Sequence, residues 1–140
     1  MVGKHEEKLA LAAKRGVRTY VLDAVQSFPL ENGRRVDLVV ECSGSVQGLE
    51  MALRMVRPRG TLILKSTVAD KSTLHLAPIV IDEIRVQGSR CGPFAPALRA
   101  LSQKLVDVRP LISACYSLDE GLAAFQYAAQ KGVLKVLIQV

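Results

Sequence analysis

Polar and apolar positions along the chain switch repeatedly between a helical and an extended period. Glu6 to Arg15 (EEKLALAAKR) has acids at the front, bases at the back and Gly16 just beyond. That order suits a helix aligned with its dipole and closed by a glycine. Val17 to Leu22 (VRTYVL) reads as a short strand. From Asp23 to Arg35 the pattern dissolves into Ser, Pro, Asn-Gly and Arg-Arg, which predicts a surface loop. Val36 to Cys42 (VDLVVEC) is a strong strand, followed by the small-residue turn Ser43-Gly44-Ser45. Ser45 can cap a helix over Val46 to Val56, with Leu49, Leu53 and Val56 on one stripe. Arg57-Pro58-Arg59-Gly60 stops that helix, and Thr61 to Lys65 (TLILK) is the next strand.

After a polar loop, Ser66 to Ser72, a short helical turn is expected around Pro78 to Glu83, then a strand from Ile84 to Gly88 (IRVQG). Gly92 to Val106 holds a helix that Pro93 or Pro96 can start. Leu111 to Tyr116 is extended. Ser117-Leu118-Asp119-Glu120 is a capping box opening a helix to about Gln130. Gly132 closes it, and Val133 to Val140 is a final strand. Strands alternating with helices, most of them nearly continuous in apolar residues, predict an α/β fold. Its sheet should be mostly parallel, doubly wound and covered on both faces.

Composition narrows the class. A chain of 140 residues has the length of one domain, and at 49% hydrophobic and 23% charged it is no disordered tail. No apolar run comes near the ~20 residues of a membrane span. The amino-terminal MVGKHEEKLA puts Glu-Glu where a signal peptide would be apolar. A soluble, cytoplasmic protein without a membrane partner is the expectation. Cys42, Cys91 and Cys115 are too widely spaced for a disulfide framework or a zinc knuckle, and read as three buried or half-buried small hydrophobes. With only His5 and His75 beside them, they build no metal centre. The net charge of +6 suits a phosphate-bearing partner. It is spread in small groups with almost no interleaved aromatics, which argues against a nucleic-acid module.

Parallel sheets bind ligands beyond the carboxyl ends of their strands. Gly3, Lys4 and His5 follow the opening strand stub Met1-Val2. Cys42, Ser43 and Gly44 follow VDLVVE, Lys65, Ser66 and Thr67 follow TLIL, and Ser89, Arg90 and Cys91 follow IRVQG. All four sets are small or basic, as a phosphate-rich ligand requires. Steric need for small turn residues produces the same pattern.

The ordered series VDLVVECSGS, GLEMALRMVRPRGTLIL, VQGSRCGPFAPALRAL, LISACYSLDEGLAAF and KGVLKVLI resembles the medium-chain, zinc-containing alcohol dehydrogenases. The resemblance runs from the second strand of their Rossmann domain to their C-terminus. It implies a nicotinamide dinucleotide lying across the strand ends, and hydride transfer between that cofactor and an alcohol or polyol. Where the family selects NAD with an acid at the end of the second strand, this chain has Gly3, followed by Lys4 and His5. The resemblance thus implies NADP(H) over NAD(H), with Lys8 a weaker addition. It sets Cys42, Ser43 and Gly44 under the ribose moieties. The backbone of Lys65, Ser66 and Thr67 faces the nicotinamide end in this resemblance, and that of Ser89, Arg90 and Cys91 holds the carboxamide. Lys135 stands where the family often carries an arginine on the pyrophosphate. For Lys4, His5, Arg90 and Lys135, ordinary solvated surface charge is the other reading.

The departures bear on function. The family's Gly-x-Gly-x-x-Gly segment and its zinc-binding catalytic domain have no counterpart in these residues. The expectation is a partial Rossmann domain over residues 1–110, and over 111–140 a segment that in the family packs on the catalytic domain. Without the first strand, the second and fourth family strands would be unpaired on their inner edges. The chain alone should then not turn over, the family's zinc having no ligands here. It should self-associate through the sheet edge at Ile84 to Gly88, the family's dimer strand. Two other classes stay open: a non-catalytic nucleotide-binding or regulatory module, and a basic nucleic-acid-binding or scaffold protein.

Overall fold

Two compact units make up the chain, Phe28–Gly92 and the pair of segments Met1–Ser27 with Pro93–Val140. The computed structural model describes residues 1–22, 36–67 and 73–140. The loop expected at Asp23 to Arg35 and most of the Ser66 to Ser72 loop lie outside these.

In the unit Phe28–Gly92, β3 (Val36–Glu41), β4 (Val56–Leu64) and β5 (Arg85–Gly88) form a parallel sheet in the order β3-β4-β5. α2 (Val46–Met55) joins the first two strands and α3 (Ala77–Ile81) precedes the third. Val39, Ala52, Leu53, Val56, Leu62 and Ile84 form the core, with Leu49, Met55, Leu74 and Ile79 packed against it. Leu49 and Leu53 of the stripe read from the sequence do pack on the sheet core, whereas Val56, expected on the same helix, is the first residue of β4. The other face stays open, because Leu38 and Val40 are 55% and 51% exposed while Val39 and Glu41 between and beyond them are buried.

β4 also starts earlier than expected. Its pairing with β3 runs from Val36 with Val56 to Leu38 with Thr61, so the Arg57-Pro58-Arg59-Gly60 segment is an irregularity within the strand. Arg59 takes a left-handed φ of 60° and donates its N–H to the Asp82 carbonyl at 2.7 Å. Gly60 is required there. A Cβ on it would stand 2.7 Å from Val56 Cγ2, 2.8 Å from the Arg57 carbonyl oxygen and 2.9 Å from that of Asp37.

The other unit contains β1 (Val2–Gly3), α1 (Glu6–Ala13), β2 (Tyr20–Val21), α4 (Phe94–Ser102), β6 (Ile112–Ser117), α5 (Gly121–Ala128) and β7 (Lys135–Gln139). β1 pairs with β2 and β6 with β7, both in parallel. Gly16, at φ 78°, lies just past α1 as its sequence implied. The Ser117–Glu120 capping box is formed: the Ser117 N–H and hydroxyl both donate to Glu120 Oε2, at 3.1 and 2.8 Å. Those bonds hold the Glu120 carboxyl below its ordinary pKa. Leu122 and Phe125 of α5 and Phe94 of α4 are exposed apolar side chains. Among the described residues, all strand pairs are parallel and β3 pairs only with β4. The fold is α/β and Rossmann-like, as the alternation of elements predicted.

Candidate functional site

Three strand ends converge in the unit Phe28–Gly92. The ladder continues past the strands: the Lys65 N–H donates to the Glu41 carbonyl at 2.9 Å and the Ser89 N–H to the Leu64 carbonyl at 2.9 Å. This brings Cys42-Ser43-Gly44, Lys65-Ser66-Thr67 and Ser89-Arg90-Cys91 together as one rim. Cross-links fix it. The Gly44 N–H donates to Ser66 Oγ at 2.7 Å, and Lys65 Nζ donates to the carbonyls of Ser89 and Arg90 at 3.3 and 3.2 Å.

Beneath the rim is a group that the sequence reading missed. Glu41 ends β3 and is 4% exposed. Its Oε1 accepts from the Ser43 N–H at 2.6 Å and the Ser43 hydroxyl at 2.7 Å. A hydroxyl has one hydrogen, so the Ser45 hydroxyl, 3.1 Å away, donates to Ser43 Oγ. Ser45 Oγ in turn accepts from the Gly48 N–H at 3.1 Å, capping α2. A relay of four groups thus leads from a helix amide to a buried carboxylate. Burial acts to raise the Glu41 pKa, but bonds from Ser43, with a smaller contribution from Ser66, outweigh it and leave the carboxyl below its ordinary value. Glu41 Oε2 is buried and without a hydrogen-bond partner. The signal was present in the sequence as an acid closing an apolar strand two residues before a serine.

Gly44 adopts φ 71°, and a Cβ there would meet no atom within 4 Å, so the rim is open above its backbone. Gly88 at the end of β5 is open in the same way. A cleft of about 360 Å3 is elsewhere in this unit. It is lined by Glu50, Leu53, Arg54, Leu74, His75, Pro78 and Asp82, with Asp82 near the start of β5 rather than its end.

Gly3, Lys4, His5 and Lys135 belong to the other unit. Gly3 ends β1, and His5 is the N-cap residue of α1 without a side-chain capping bond. Glu6 and Glu7 supply the acids of the first turn of α1, directly after Lys4 and His5 in the chain. Lys135 opens β7 and is exposed.

All three cysteines are exposed, which corrects their reading as buried or half-buried hydrophobes. Cys42 and Cys91 fall just past strand ends, and Cys115 is an exposed position of the two-stranded β6-β7 sheet. Among the described residues no three His, Cys, Asp or Glu side chains come together as a metal cluster, so a zinc ion finds no fitting donor set there. No described helix is long and apolar enough to cross a membrane.

Residues 1–107 match the family model described as zinc-binding dehydrogenase. Mouse (Mus musculus) sorbitol dehydrogenase is 28% identical over 110 residues, which is 76% of this chain and 30% of that protein. The chain therefore spans about a third of the length of the curated relatives it matches. Among solved structures, a protein assigned as a zinc-binding dehydrogenase of Sinorhizobium meliloti 1021, bound to NADP, superposes with a TM-score of 0.84 at 24% identity. The match covers 99% of this chain and 44% of that one. A protein described as a short chain alcohol dehydrogenase of Escherichia coli CFT073, complexed with NADH, gives 0.81 at 18% identity, covering 99% and 43%. At these identities the structural likeness speaks for the fold.

Proposed function

The chain belongs to the zinc-binding dehydrogenase family, and on that premise we propose that it is the dinucleotide-binding portion of an alcohol or polyol dehydrogenase. The observation that carries this reading is the rim of three stitched strand ends, open above Gly44 and Gly88 and carrying the cations Lys65 and Arg90. Small residues let a ligand approach the backbone closely. When bound, the dinucleotide supplies or accepts the hydride. Ser43 and Gly44 support its ribose moieties. Lys65, Ser66 and Thr67 border the nicotinamide end, with Ser89, Arg90 and Cys91 along the carboxamide.

The cofactor in this reading is NADP(H) rather than NAD(H). Gly3 offers no acid to bond ribose hydroxyls, and Lys4 and His5 put two side chains able to bear positive charge beside it. Among the described residues neither side chain has a hydrogen-bond or ion-pair partner. Lys135 serves the pyrophosphate as a single charge, without the two-pronged geometry of arginine. The chain by itself binds the cofactor without turnover. It pairs with a second copy through β5, an edge strand of its sheet.

A fluorescence titration with NADPH, using NADH and an oligonucleotide as competitors, tests the reading. Saturable NADPH binding with weaker displacement by NADH supports it. Salt-sensitive oligonucleotide binding that NADPH does not compete with overturns it.

A further inference from the structure

Lys65 carries a charge that no carboxylate answers. Its Nζ is held by two neutral acceptors, the carbonyls of Ser89 and Arg90, at 3.3 and 3.2 Å. Among the described residues it makes no ion pair. Glu41, the acid that ends the neighbouring strand, directs Oε1 to Ser43 instead. The Arg90 guanidinium, on the same rim, also lacks an ion-pair partner among the described residues. Two carbonyl oxygens restrain the ammonium without neutralising it, so the positive charge stays fixed at the junction of β4 and β5.

We propose that Lys65 sets the redox preference of the bound cofactor, favouring the reduced dinucleotide over the oxidised one. The inference rests on the reading of this rim as the nicotinamide end of the site. An oxidised nicotinamide ring carries a formal positive charge, and a reduced one is neutral. The two forms share their phosphates, riboses and adenine, so the rest of the site treats them alike. A fixed cation beside the ring repels only the oxidised form. It therefore shifts the ratio of the two affinities, whatever the absolute affinity is. At this exposed position the effect of one charge is about threefold in that ratio, rising toward tenfold at low salt. In a dehydrogenase this preference favours retention of the reduced cofactor, the state from which a carbonyl substrate is reduced.

The test is a pair of dissociation constants for the 140-residue chain. NADPH is titrated by its own fluorescence and NADP⁺ by competition, for wild type, Lys65→Gln and Lys65→Arg. Wild type should prefer NADPH. Lys65→Gln should lose about threefold to tenfold of that preference at low salt, while Lys65→Arg, which keeps the charge, should retain it. If wild type and Lys65→Gln bind both forms with the same ratio, the inference fails and the dinucleotide site stands. If Lys65→Arg loses the preference as fully as Lys65→Gln, charge is not the cause and the inference also fails. If wild type binds neither form, the inference and the reading beneath it fall together.

Discussion

The hydroxyl of Ser43 occupies the place that a Cβ on Gly48 would need. The built Cβ would stand 1.9 Å from Ser43 Oγ and 2.6 Å from Ser43 Cβ. A turn residue and a helix residue are thus fitted to each other by the absence of one methyl group. The same hydroxyl is committed to Glu41 and Ser45, so it cannot move aside without breaking the relay beneath the rim.

Gly48→Ala should therefore destabilise the chain by about 1–3 kcal/mol, the usual cost of forcing extra volume into a packed site. Denaturant unfolding measures it. Combining the change with Ser43→Gly should return part of the loss, since the clash disappears with the hydroxymethyl group, and a double-mutant cycle reads that coupling.

Glu41 gives the relay a pH dependence. Its folded pKa is below the ordinary glutamate value, so its contribution is present above the unfolded pKa, about 4, and is lost as pH falls through the folded one. Glu41→Gln should cost about 1–3 kcal/mol at pH 7. The gap between variant and wild type should narrow as pH is lowered from about 5. Unfolding curves at several pH values check this, and a gap independent of pH would contradict the assignment.

The cofactor preference is expected to reside at the end of β1. Lys4→Ala together with His5→Ala should weaken NADPH binding on the order of tenfold and leave NADH binding nearly unchanged. Parallel titrations with the two cofactors distinguish this from general loss of the site, which would lower both.

Association through β5 can be tested without disturbing its own sheet. The Ser89 N–H donates to Leu64 across the β4 side. Amides alternate along a strand, so that of Val86 points to the free edge. Val86→Pro removes that outward donor. Sedimentation should show a wild-type dimer and a Val86→Pro monomer with unchanged far-ultraviolet dichroism.

Local signals in the sequence account for the elements and their order. Ser45 before the Val46 helix, the Ser117–Glu120 box and Gly16 beyond α1 act within a few residues, and each appears as read. So does the meeting of Ser43, Lys65 and Ser89, because parallel strands necessarily put their carboxyl ends on one side. Cys42 and Cys91 are exposed although cysteine is usually buried, because exposure depends on what stands over a strand end. The start of β4 was hidden for a similar reason. Arg57 to Gly60 looks like a helix stop, and the partners that tie it into the strand, Asp37 for Arg57 and the Asp82 carbonyl for the Arg59 amide, lie about twenty residues away on either side.

By itself, then, the sequence determined the α/β alternation, the caps and the residues that end each strand, since these follow from backbone and side-chain chemistry at short range. Tertiary structure alone decided that Glu41 is buried under the rim, that Ser43 and Gly48 exclude each other's volume, and that one sheet face stays open. Each depends on groups distant along the chain arriving in the same space, and no local pattern encodes which atoms will meet.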